Sequence, residues 1–139
     1  GQVYHPANVV IGGNLTVNGG KISSEQVFMV TCSSETAPLS VTSNIATFRV
    51  PGNWQLTRAP RATLLNAPAS QSVNVMVYNN MTPILSSNLY MGPGEVSTRL
   101  NPPTLLNSTL GEDSVVNISL LRTDTQASGL KVFFYYVNY

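Results

Sequence analysis

Side chains able to do covalent or acid–base chemistry are few: the 139-residue chain holds one His, one Cys and six carboxylates. His5 stands beside Pro6 with no Cys, Asp or second His at metal-ligand spacing, so it reads as an exposed imidazole. Cys32 ends the apolar run Val27-Phe28-Met29-Val30-Thr31-Cys32 and reads as a small buried hydrophobe, since one cysteine makes no internal disulfide. A glycosidase needs two facing carboxylates. Glu112 and Asp113 are adjacent, which puts them in one turn or on opposite faces of a strand, and Glu35, Glu95 and Asp124 sit among Ser, Gly and Thr as loop residues. A nucleophile elbow, a phosphate loop and a spaced-Asp calcium loop are all missing from the sequence. The expectation is a protein that is not an enzyme and uses no metal or cofactor; a depolymerase would need carboxylates converging from distant loops.

Recognition chemistry is better supplied. A sugar-binding surface sets an aromatic ring against the apolar face of a pyranose and short amides or hydroxyls against its hydroxyls. The aromatic candidates are Tyr4, Trp54, Tyr78 and Tyr90, and the chain is rich in partners, with 14 Asn, 15 Ser and 13 Thr. Turn signals at 52–54, 79–81 and 92–94 suggest a recognition rim, with Asn53, Trp54, Asn79, Asn80 and Tyr90 as its ligand-binding residues. The competing reading of Trp54 is an anchor in the core or at a subunit interface. Arg49, Arg58 and Arg61 could line a site for an acidic glycan, or be solvated or paired with carboxylates. Sequons at Asn14, Asn80, Asn107 and Asn117 carry no weight, because this composition gives about three by chance.

The elements that position these groups read as strands. Hydrophobic residues make up 42% and charged ones 9% of the chain, too apolar for disorder and without the run of about 18 apolar residues a membrane helix needs. A net charge of +1, with the seven basic residues scattered, gives no footprint for nucleic acid or anionic lipid. At 14.9 kDa one domain can bury roughly two thirds of its unfolded surface. Candidate strands fall at 25–32, 45–50, 54–59, 62–66, 72–78, 83–86, 88–91, 96–100, 114–122 and 129–138, joined by Gly, Pro and Asn turns. No sustained helical period is present, and a helical turn is expected only around 104–110.

Alternation assigns faces. Val73, Val75 and Val77 mark a strand with one wet face, whereas 129–138 is apolar on both, with Val132, Phe134 and Tyr136 against Phe133, Tyr135, Val137 and Tyr139. The run 27–30 repeats that signal. A sandwich covers one face of a strand, so the second face argues for another sheet or for another copy of the chain, with Phe28, Phe133, Tyr135 and Tyr139 as the candidate residues of an interface between copies. The first residues differ: Val9-Val10-Ile11-Gly12-Gly13-Asn14 and Leu15-Thr16-Val17-Asn18-Gly19-Gly20-Lys21 read as two short strands closed by Gly pairs. The organisation expected is a shaft-like segment over 1–24 and a head domain over 25–139, an all-β, antiparallel, jelly-roll-like sandwich. Gly1 reads as a boundary within a longer chain.

The order Ala46-Thr47-Phe48-Arg49-Val50-Pro51, Gln55-Leu56-Thr57-Arg58-Ala59-Pro60-Arg61-Ala62-Thr63-Leu64, Ser72-Val73-Asn74-Val75, Ile84-Leu85-Ser86, Leu110-Gly111-Glu112-Asp113 and Gly129-Leu130-Lys131-Val132 resembles a β domain of tailed-phage virion proteins over roughly residues 45–139. The segment before it is similar to the short repeats that join such domains to fibre shafts. The chain departs from that pattern at Asn79-Asn80-Met81, where the family commonly has a Gly, and at Glu112-Asp113, where it often has paired Asp. The resemblance implies an external tail-fibre, spike or head-fibre component of the virion, commonly a homotrimer that attaches to a host-cell glycan or protein. It also implies contacts with other virion proteins, and a purely structural decoration or fibre-joining domain is the alternative it leaves open.

Overall fold

In Val73–Asn79 every second residue is buried, because each Val points away from the solvated face of its sheet. The computed structural model describes residues 24–139, so the expected shaft-like segment up to residue 23, with its two short strands, Tyr4 and His5, lies outside the described residues. All ten strands described are antiparallel to their partners. One sheet runs β1 (Gln26–Thr31), β10 (Lys131–Asn138), β3 (Trp54–Leu56), β8 (Thr109–Leu110), and β4 (Arg61–Thr63) pairs the other end of β10. The second runs β2 (Thr42–Arg49), β9 (Val115–Arg122), β5 (Val73–Asn79), β6 (Thr82–Pro83), with β7 (Leu89–Met91) also on β5. Counting β3 with β4 and β6 with β7 as single interrupted strands leaves eight, and the chain changes sheet at every connection but the hairpin after β5. That wrapping is the jelly-roll order of an antiparallel β-sandwich.

The inner faces meet in an aromatic cluster. Phe28 from β1 lies 4.9 Å from Phe48 of β2 and 5.2 Å from Trp54 of β3, and Tyr136 of β10 stacks on Trp54 at 4.1 Å and 15°. Phe134 meets Phe48 edge-on at 5.5 Å. Val116, Ile118 and Leu120 of β9 and the three Val of β5 complete the opposite wall, all fully buried. Cys32 belongs to this core, where burial pushes its thiol up to about 12 and leaves it un-ionised at neutral pH.

Several expectations are corrected here. Phe28, expected at an interface, is half-buried and packs against the core, because the register Phe28↔Phe134 turns it inward and leaves Val27 and Met29 outside. Residues 96–100 contribute a single bridge, Thr63↔Ser97, rather than a strand. The stretch 104–110 is extended, not helical: Leu105 bridges Leu85, and β8 pairs Trp54↔Leu110. Asn107 accepts the Thr109 N–H on its own side chain, a local bond that competes with helix.

Candidate functional site

Three of the candidate ligand-binding residues gather at one end of the sandwich, and their amides are already engaged. Asn53 Oδ1 accepts the Glu112 N–H at 3.0 Å, Asn80 Oδ1 accepts the Val115 N–H at 3.0 Å, and Asn79 Nδ2 donates to Ser114 Oγ at 2.9 Å. These bonds tie the 50–53 loop and the β5–β6 hairpin to the 111–114 turn, whose Asp113 N–H also reaches Val50 O at 2.8 Å. Arg49 belongs to the same end, its guanidinium donating to Asp113 O at 2.8 Å. The residues staple turns together, as Asn side chains do when they stand in for backbone acceptors.

Two of the five do not join them. Trp54 is 1% exposed and cannot stand at a rim; the competing reading as a core anchor describes its place. Tyr90 is exposed but lies opposite Asn74 and thus near Arg122, at the other end of β5, as does the 92–94 loop, whose Gly94 N–H bonds to Pro68 O. The three loops therefore do not form one rim. Of the remaining interface candidates, Tyr139 is exposed at the stapled end, and Phe133 and Tyr135 point outward from β10, Phe133 half-buried and Tyr135 only 8% exposed.

What covers Tyr135 is arginine. The Arg58 guanidinium carbon sits 3.9 Å from its ring centroid and that of Arg61 5.6 Å, so part of the second apolar face of β10 finds its cover within the chain. Arg58 and Arg61 flank the bend at buried Pro60 between β3 and β4, and Arg99 approaches from the 97–103 segment. Thr98 fixes that segment by accepting the Ala62 N–H on its hydroxyl at 3.1 Å and donating its own N–H to Ala62 O at 3.1 Å. The result is a cavity of about 340 Å³ lined by Arg58, Arg61, Arg99, Tyr135, Pro102 and Pro103. Glu25 pairs with Arg58 at 2.6 Å, and hydrogen bonds from Thr57 and Arg58 hold its carboxyl below the usual range. Among the described residues neither Arg61 nor Arg99 has a carboxylate partner. Guanidinium groups present paired donors that match a carboxylate or phosphate, so this cavity suits a small anion-bearing ligand. Sequence reasoning singled out Arg58 and Arg61 but grouped them with Arg49 and missed Arg99, which only the Ala62–Thr98 pairing brings in.

Asp124 is buried and takes a different role. Its Oδ2 accepts from Ser70 N–H, Ser70 Oγ and Gln71 N–H, and its Oδ1 from Gln126 N–H at 2.7 Å. The Gln126 and Ser70 amides, which stabilise the charged form, hold the carboxyl well below its ordinary value. A depressed folded-state value means stability that is complete above the unfolded value near 4 and drains away as pH falls toward the folded one. Asp124→Asn is expected to lower the thermal midpoint by at least about 5 °C at pH 6 and to flatten its fall between pH 4 and pH 2, both read by melts across that range. Among the described residues no three His, Cys, Asp or Glu side chains gather where they could hold a metal ion.

The arrangement is that of an antiparallel jelly-roll domain with an arginine-lined surface cavity. No family model, no curated protein and no solved structure matches this chain.

Proposed function

We propose that the domain is a non-enzymatic attachment module, the homotrimeric tip of a virion fibre or spike, which binds an acidic glycan on the host surface. The single observation that carries the ligand class is the convergence of Arg58, Arg61 and Arg99 on one cavity with one carboxylate among them. Low overall charge makes that local excess of cation specific to the cavity rather than a property of the whole surface. A shallow site of this kind binds weakly alone, and three linked copies raise avidity by about 10² to 10⁴.

The test is titration with a glucuronate-containing oligosaccharide and its neutral glucose counterpart. Saturable binding of the acidic ligand is expected, weakening about tenfold for each of Arg61→Ala and Arg99→Ala, since a hydrogen bond to a charged group contributes about 1.5–3 kcal/mol. Binding that ignores ligand charge, or survives both substitutions, overturns the proposal.

A second reading, a decoration or fibre-joining domain held by other virion proteins, has its own observation in β1. Among the described residues this strand pairs only β10, carries no charge along Gln26–Thr31, and exposes Val27 and Met29, where edge strands are usually blunted by charge, Pro or a bulge. No saturable glycan binding by a trimer of the 14.9 kDa chain in light scattering favours this reading.

A further inference from the structure

The outer face of the second sheet carries a groove that none of the foregoing uses. It is about 300 Å³ and is lined by Asn44, Tyr78, Met81, Asn117, Ser119 and Leu121 among others, a size at the lower bound of small-ligand pockets. Its floor is set by register: Asn117 on the central strand β9 pairs Thr47 of β2 on one side and Tyr78 of β5 on the other. Ser119, two residues along the same face, accepts the Asn44 N–H on its hydroxyl at 3.0 Å, which holds the bulge in β2 where Asn44 has a φ of 53°.

Asn117 is the anomaly. Its residue is 8% exposed and its Oδ1 is buried with no hydrogen-bond partner, the one such side-chain atom among the described residues. Its Nδ2 reaches only the Met81 sulfur, at 3.5 Å. A thioether is a weak acceptor, and an amide left so poorly matched in a central strand costs free energy that a hydrophobic residue there would not. Met81 is itself held at a φ of 70° in a two-residue hairpin turn, a position that suits glycine, and its side chain is 76% exposed. The cover over Asn117 is thus a flexible, weakly bonded side chain that a ligand can push aside.

We infer that this groove is a binding site for one pyranose ring of a neutral sugar. A sugar hydroxyl both donates and accepts, so it satisfies the Asn117 amide in either orientation. The apolar ring face has Tyr78 and Leu121 to lie against, in the pairing of aromatic surface and short polar groups that sugars select. No charged side chain lines the groove, which sets its ligand apart from that of the arginine cavity on the other sheet. The inference stands on this geometry alone, and it adds a second point of contact if the attachment reading holds.

The experiment is a backbone amide NMR titration with the methyl glycosides of glucose, galactose, mannose and N-acetylglucosamine. Saturable shifts are expected at Asn44, Tyr78, Met81 and Ser119 with at least one of the four, while Arg61 and Arg99 amides stay unmoved. Asn117→Leu is expected to raise the thermal midpoint, because it removes the unpartnered amide, and to weaken binding at least tenfold. Tyr78→Thr keeps an outward-facing strand residue without the ring and is expected to weaken binding comparably with the fold intact. No saturable groove shift with any of the four, or binding unchanged in Tyr78→Thr, overturns the inference. A silent groove overturns this inference while leaving the acidic-glycan reading standing, because that reading is tested with a charged oligosaccharide at the arginine cavity, so the two fail separately.

Discussion

Trp54→Ala is expected to destabilise the domain by about 4 kcal/mol, the middle of the range for emptying a buried aromatic site. The indole is 1% exposed and touches rings from both sheets: Tyr136 at 4.1 Å, Phe28 at 5.2 Å, Phe48 at 6.0 Å and Phe134 at 6.4 Å. Few small shifts can fill that void, since the surrounding rings come from three different strands whose registers are fixed by pairing. Against a total stability of about 5–15 kcal/mol for a typical domain, such a loss populates unfolded chain. Trp54 is also the only tryptophan, so denaturation of the variant is followed by circular dichroism rather than indole fluorescence. Trp54→Phe should recover more than half of the loss, because a ring still stacks on Tyr136. Acidic-ligand affinity per folded molecule should be unchanged in both variants; a selective loss of affinity would return Trp54 to the recognition surface.

The strands around this core show where sequence reasoning reaches its limit. Val73, Val75 and Val77 announce β5 by alternation, and the two apolar faces of 129–138 announce a strand covered on both sides. Alternation cannot say which of two apolar faces is inner. In 27–30 that choice falls to the pairing with β10, and it puts Phe28 inside with Val27 and Met29 out. Loop position has a similar blind spot. The 79–81 and 92–94 loops look equivalent along the chain, yet they are separated by one traverse of the sheet, which necessarily places them at opposite ends. Cavity chemistry is legible only in part. Arg58 and Arg61 are close in sequence around Pro60, so local spacing reveals them. Arg99 and the orphaned amide of Asn117 are products of long-range pairing, which no local pattern encodes.

Gly129→Ala is expected to cost about 3 kcal/mol, from two sources that can be measured apart. The residue has a φ of +71°, where a Cβ costs about 1–2 kcal/mol. A methyl group there would also stand 2.6 Å from Leu65 Cβ and 3.1 Å from Leu65 N, an overpacking that typically adds 1–3 kcal/mol. Neither neighbour yields freely. The Leu65 N–H is bonded to Ser128 O at 3.0 Å, the Gly129 N–H to Ser34 O at 3.0 Å, and the Leu130 N–H to Ser33 Oγ at 2.9 Å. This junction leads directly into β10, the strand that pairs β1, β3 and β4 and holds Tyr135 beneath the arginines. Gly94→Ala provides the control, because its φ is +81° but nothing lies within 4 Å of the added methyl. It should lose only the conformational part, about 1–2 kcal/mol. The difference between the two variants in urea denaturation isolates the contact with Leu65. If the two variants lose the same amount, the chain relaxes around Leu65 at no cost, and the entry into β10 is softer than its hydrogen bonds imply.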